Sequence, residues 1–153
     1  MIGSTIGDFT SPSTGDTTFR LSASPARFLI LYFYPKDSTP GCTTEAAQFR
    51  DLHAEITAAG GLVLGVSRDS LRSHESFKAK LALPFDLLSD ADEALCSLFQ
   101  VIKEKKLYGK PVRGIERSTF IIDAKRTVIG EWRAVKAPGH AQEVLDFIRA
   151  QQA

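Results

Sequence analysis

The stretch from Phe28 to Tyr34, FLILYFY, offers no polar position on either side of a pleat. Side chains on a strand alternate between two faces, so a strand is apolar throughout only where both faces are covered. The run predicts a central strand with layers packed above and below it. It is far too short to cross a bilayer, which takes about 20 residues of helix. LVLGVS at 62–67 has the same character and predicts a neighbouring strand.

Between these strands, Ala46, Phe49, Leu52, Ile56 and Ala59 recur at helical spacing and predict one helix over 43–59, stopped by Gly60-Gly61. SLRSHESFKAKLA predicts a second helix, followed by Pro84, and FDLLSD at 85–90 a short strand whose Ser89 or Asp90 caps a helix carrying Leu95, Leu98 and Phe99. STFIID and TVIGEWRA flank AKR as a hairpin, and GHAQEVLDFIRAQQ closes the chain as an amphipathic helix. FTSPSTGDTTFRLSA reads as an N-terminal hairpin, and GKPVRG at 109–114 as a solvated basic loop. The order β-β-α-β-α-β-α-β-β-α predicts an α/β domain with a central mixed β-sheet flanked by helices. At 153 residues it is expected to be a single domain, 1–153.

Net charge is only +1, so no field suited to nucleic acid or a membrane surface is expected. Residues 2–9, IGSTIGDF, have neither the basic nor the apolar segment of a signal peptide. Two cysteines, Cys42 and Cys96, do not make a disulfide scaffold, and a cytoplasmic protein with reduced thiols is expected. No metal site is expected either. His53, His74 and His140 do not pair with each other or with the cysteines at ligand spacing, and each is read as a surface or helix residue.

Cys42 is the position with chemistry. YPKDSTPGCTTE puts it in the first turn of a helix, facing unpaired backbone N–H groups and the positive end of the helix dipole. Those features stabilise a thiolate. Cys96 sits beside Leu95 on a helix and reads as a packed residue.

Pro35, Thr39 and Cys42 spell P-x-x-x-T-x-x-C, which resembles the active-site signature of peroxiredoxins. YPKDSTPGCTTEAAQFRD is similar to the bacterioferritin comigratory protein, or peroxiredoxin Q, subfamily. LLSDADEAL, VIKEKKLYGK, GIERSTFIID and KAPGHAQEVL resemble further stretches of it in the same order. The resemblance implies a thioredoxin-like fold and a thiol-dependent peroxidase that needs no metal or other cofactor. Its substrates would be hydrogen peroxide and organic hydroperoxides, and thioredoxin or another thiol reductant would recycle it. It places the nucleophile on Cys42, a peroxide-holding hydroxyl on Thr39, the charge-stabilising arginine on Arg117 and a shield against water on Pro35. Each has a plainer reading: Thr39 as a helix cap, Arg117 as a solvated charge, Pro35 as the end of a strand. Glu45 reads either as an anchor for Arg117 or as a first-turn acid.

Members of this subfamily often carry a resolving cysteine at positions that here hold Ala47 and Lys78. The expectation is therefore a one-cysteine enzyme, monomer or weak dimer, reduced by an outside thiol, with Cys96 as the other candidate resolving residue. The competing function is a redox sensor that uses Cys42 to pass oxidation to a partner without rapid turnover.

Overall fold

The computed structural model describes residues 1–152. Phe28–Phe33 is strand β3, and every residue of it is buried. Its two faces belong to different cores. Phe28, Ile30 and Tyr32 pack with Phe49, Phe77, Val144 and Ile148. Leu29, Leu31 and Phe33 pack with Leu95, Phe99, Phe120 and Ile122 on the other side. Strict alternation between two apolar layers is the reason the run has no polar position.

β3 pairs in parallel with β4 (Gly61–Ser67), which pairs in parallel with β5 (Leu87–Ser89). The expected N-terminal hairpin is present as β1 (Thr10–Ser13) and β2 (Thr17–Arg20), and β1 lies antiparallel to β5. Beyond β3 come β8 (Ser118–Asp123) and β9 (Val128–Trp132), both antiparallel. The seven strands run β2-β1-β5-β4-β3-β8-β9, a mixed sheet. Helices α1 (Pro40–Asp51), α2 (His53–Ala58), α3 (Leu71–Leu81) and α5 (His140–Ala150) contribute buried residues to the first layer. α4 (Ala94–Leu98) contributes to the second.

Two expectations need correction. The helix expected over 43–59 begins earlier, with Pro40 in its first turn, and breaks at Leu52 (φ −98°, ψ 3°) into α1 and α2. The apolar spacing runs through the break because both pieces bury residues on the same layer, so periodicity alone does not reveal it. The segment expected as a basic loop at 109–114 is instead strand β7 (Lys110–Ile115), paired antiparallel with β6 (Ile102–Leu107) in a separate two-stranded sheet. This hairpin buries only its base, at Ile115, so its sequence carries no alternation of apolar and polar positions. Its turn uses positive φ at Tyr108 (53°) and Gly109 (77°), as a tight hairpin with matching twist requires.

The N-cap residue of α4 is Glu93 rather than the expected Ser89 or Asp90, and its side chain makes no cap bond. Asp90 instead reaches the first turn from outside the helix. Its carboxylate accepts hydrogen bonds from the backbone N–H of Leu95 (2.9 Å) and Cys96 (2.7 Å). All three histidines lie in helices, but His74 and His140 are fully buried rather than solvated.

Candidate active site

At the C-terminal end of β3 the chain leaves the sheet through a short strap, residues 35–39, that leads into α1. The strap is held by Asp37. Its backbone N–H donates to Asp69 (3.0 Å), and its carboxylate accepts from the Tyr34 hydroxyl (2.6 Å) and the Ser73 hydroxyl (2.8 Å). His74 Nδ1 meets the same carboxylate at 2.8 Å, and its Nε2 meets the Leu88 carbonyl at 2.9 Å. β3, α3, β4 and β5 are thereby tied to one loop. Asp37 and His74 carry no weight in the sequence reading. The signal that was there is a histidine in the same helix as buried Phe77, three residues apart, on the buried side of α3.

Thr39 occupies the N-cap position of α1 with extended backbone, but its hydroxyl does not cap the helix. It donates instead to the Lys36 carbonyl (2.8 Å), leaving the oxygen lone pairs free to accept. Pro40 starts the helix, where its missing N–H costs nothing. Cys42 follows in the first turn and is buried in the first layer, free of any disulfide.

Arg117 immediately precedes β8, and the pairing of Phe33 with Ser118 brings it beside the end of β3. Its carbonyl accepts from Val135 N–H (3.0 Å), fixing the backbone. The guanidinium is a fork. Nη1 donates to Glu45 Oε1 at 2.6 Å, and Nη2 points at Cys42 Sγ at 3.4 Å. Of the two sequence readings of Glu45, the structure has the ion pair. Glu45 is fully buried one turn after Cys42, and its Oε2 makes no hydrogen bond. Burial pushes its carboxyl up to about 7, against the opposing pull of the Arg117 guanidinium.

Gly41 explains how the fork comes so near. A Cβ added there would lie 3.0 Å from Arg117 Nη2, inside ordinary contact distance. Gly41→Ala is therefore expected to shift the fork by a few tenths of an ångström and to slow oxidation of Cys42 by peroxide by about tenfold, in line with the sensitivity of reactions to misplaced groups. Stopped-flow rates at equal folded fraction check this; an unchanged rate would mean that the fork has slack.

Cys96 lies apart from this cluster. It is buried in the second layer, on the far side of the sheet from Cys42. Burial pushes its thiol up, and the Asp90 carboxylate beside it adds to the effect. A bond between the two sulfurs would require the sheet or α4 to open. Pro35 and Arg117 border a cavity of about 300 Å³ outside the site. Asp37, Asp69 and His74 have ligand atoms within 4.8 Å of one another, but those atoms hydrogen-bond within the strap network.

The AhpC/TSA family matches residues 2–130. Peroxiredoxin Bcp of Xanthomonas campestris pv. campestris is 53% identical over 137 residues, 90% of this chain and 86% of the relative. The chain belongs to the AhpC/TSA family of peroxiredoxins. Peroxiredoxin Bcp of Bacillus subtilis is 48% identical over 132 residues, covering 86% of this chain and 84% of that one. Among solved structures, a cysteine-to-serine mutant of Xylella fastidiosa PrxQ superposes with a TM-score of 0.95 at 45% identity, covering 100% of this chain and 98% of that one. The Xanthomonas campestris bacterioferritin comigratory protein, described for its alkyl peroxide reduction activity, superposes with a TM-score of 0.90 at 50% identity, covering 95% and 92%. The fold is thus the thioredoxin-like fold of the peroxiredoxins, and the enzyme is a thiol peroxidase. No helix of the described residues in this peroxiredoxin is long and apolar enough to cross a membrane.

Proposed function

We propose that this peroxiredoxin reduces hydrogen peroxide and organic hydroperoxides through Cys42 alone, and that an outside thiol such as thioredoxin returns the sulfur to its starting state. The observation that carries the reading is the Arg117 fork, which joins the sulfur of a first-turn cysteine to a buried carboxylate.

The Cys42 thiolate attacks the terminal oxygen of the peroxide. The S–O bond forms as the O–O bond breaks, and the departing oxygen takes a proton to leave as water or an alcohol. Cys42 becomes a sulfenic acid. Negative charge moves from sulfur to the departing oxygen during this step. A guanidinium with fixed donors stabilises that charge without reorganising. Thr39, whose hydroxyl hydrogen is given to the Lys36 carbonyl, accepts a hydrogen bond from the peroxide O–H through its free lone pairs. Backbone N–H groups at Gly41 and Cys42 have no partner within a helix and add donors. In this reading Pro35 shields the sulfur from water and offers no N–H of its own. We place the enzyme in the cytoplasm as a monomer or weak dimer, with no metal, haem or flavin in the reaction.

Intact mass after one equivalent of hydrogen peroxide tests the scheme. The wild type and Cys96→Ser are both expected to gain one oxygen, and Cys42→Ser none. Loss of two hydrogens in the wild type alone would make Cys96 the resolving residue. Absence of any change within minutes would remove the peroxidase reading.

A further inference from the structure

The β6–β7 hairpin is the part of the molecule that peroxide chemistry does not need. Lys103, Lys105, Lys106, Lys110 and Arg113 stand in it against one acid, Glu104. The whole chain carries only +1, so everything outside the hairpin is net negative. Three large apolar side chains are also exposed here: Leu107 at 56%, Tyr108 at 95% and Val112 at 44%. Isolated apolar residues on a surface mean little, but three together at the end of one projecting element form a patch.

Register sorts these residues. Lys103 pairs with Gly114, Lys105 with Val112, and Leu107 with Lys110, and directly opposed residues share a face. One face therefore presents Lys103, Lys105 and Lys110 around Leu107 and Val112, with no acid on it. The other face holds the Glu104–Arg113 pair and packs its base, Ile102 and Ile115, on the second core layer. Glu93 of the body is already held by Arg113 (2.5 and 2.6 Å) and Arg68 (3.1 Å), so it does not neutralise the lysines. Glu116, which lines the cavity with Lys105, is a single acid at the base of the hairpin. That clamp also fixes the hairpin relative to the body. Lys105 reaches the cavity that Pro35 and Arg117 border.

We propose that this face is the docking surface for the reductant, a dithiol protein whose surface beside its reactive cysteine is acidic and partly apolar. The inference rests on the one-cysteine reading above. Positions 47 and 78 hold no cysteine and Cys96 is walled off by the sheet, so the second sulfur must arrive from outside. It must arrive at the end of the molecule where Pro35 and Arg117 lie, and the hairpin is the charged and apolar element adjoining that end. The partner's thiolate attacks the Cys42 sulfenic acid, forming a mixed disulfide and releasing water. The partner's second thiol then attacks its own sulfur in that disulfide and returns Cys42 as a thiol. The partner leaves oxidised. Lysines on the rim speed encounter with an acidic surface, and the apolar residues between them give the docked pair contact area.

The test compares two reductants, dithiothreitol and a bacterial thioredoxin with its reductase and NADPH, on the wild type and on Lys103→Glu/Lys110→Glu. Dithiothreitol-supported turnover is expected to match within about twofold, because a small neutral dithiol gains nothing from steering. Thioredoxin kcat/KM is expected to fall by about tenfold or more in the variant, and the wild-type value alone is expected to drop steeply with added salt. Tyr108→Ala is expected to lower thioredoxin kcat/KM without changing its salt dependence. Equal losses with both reductants, or no loss with either, would overturn the docking surface. So would a wild type that turns over with dithiothreitol but not with thioredoxin. Binding to anionic vesicles that the double variant abolishes, with thioredoxin kinetics unmoved, would assign the face to a lipid surface and overturn the proposal. Failure of the wild type with dithiothreitol itself would strike the peroxidase reading, not the hairpin.

Discussion

Arg117→Met is expected to lower kcat/KM for hydrogen peroxide by about 10²- to 10³-fold, the cost of removing a preorganised donor from a developing negative charge. Methionine fills similar volume but brings no donor, so both the 2.6 Å bond to Glu45 and the 3.4 Å contact with Cys42 Sγ disappear. Arg117→Lys separates charge from geometry. An ammonium keeps the positive charge but is a point, whereas the native contacts use two nitrogens of one rigid plane. Held by Glu45, it sits off the sulfur; turned to the sulfur, it leaves a buried carboxylate unpaired. Recovery of only a small part of the lost rate is expected from lysine. Stopped-flow oxidation of Cys42, read beside its alkylation by iodoacetamide, checks this. Alkylation needs a thiolate but no stabilised leaving oxygen, so its rate is expected to fall much less. A peroxide rate for Arg117→Met within about threefold of wild type would remove Arg117 from the transition state.

The parts of this site that the sequence makes legible are those whose chemistry is local. A short continuous apolar run rich in aromatic residues points to a doubly covered strand, and a cysteine after Pro-Gly at the start of a helical pattern points to its first turn. The resemblance of the flanking motifs then places Thr39 and Arg117. What stays hidden depends on contacts between distant segments. Nothing in the sequence marks Asp37 until Tyr34, Ser73 and His74 close around its carboxylate. Glu45 satisfies two readings equally well, because Arg117 reaches it only through the pairing of β8 with β3. The hairpin is missed for the opposite reason. Its strands are held by backbone pairing and by a salt bridge to Glu93 rather than by an apolar face, so the pattern that reveals other strands is missing from them. Nor does sequence distance show that Cys42 and Cys96 lie on opposite layers; alternation along β3 decides that.

Glu45→Gln is expected to remove a slope from the stability of the protein between about pH 4.5 and pH 7. In the folded chain the Glu45 carboxyl stands at about 7, raised by burial from an ordinary value of 4.5. Between those two values the folded state binds more protons than the unfolded one, so stability falls as pH rises and levels off above the folded value. The group's full favourable contribution is present below pH 4.5 and is lost as pH climbs through about 7. For a rise from 4.5 to about 7 the loss is on the order of 3 kcal/mol, or roughly 6–12 °C in Tm for a chain of this size. Other titrating groups do not imitate it. Asp8, Asp37, Glu93 and Glu131 are held below their ordinary values, so their contributions are lost at the acid end, below the window. His140 is lowered by burial and acts inside the window with the opposite sign, its contribution being lost as pH falls. It bonds to Glu143 and Thr119 rather than to Glu45, so it cancels when variant and wild type are compared. Glutamine keeps an acceptor for Arg117 Nη1 but cannot ionise. Urea denaturation of both proteins at the two ends of the window measures the difference. A wild type that loses stability relative to Glu45→Gln as pH rises supports a carboxyl that ionises late, on a buried site. Parallel profiles would mean that the Arg117 ion pair outweighs burial and keeps Glu45 charged throughout. In that case the fork beside Cys42 would be anchored by a full negative charge at every pH at which the enzyme works. The peroxide rate of the wild type would then show no limb assignable to Glu45.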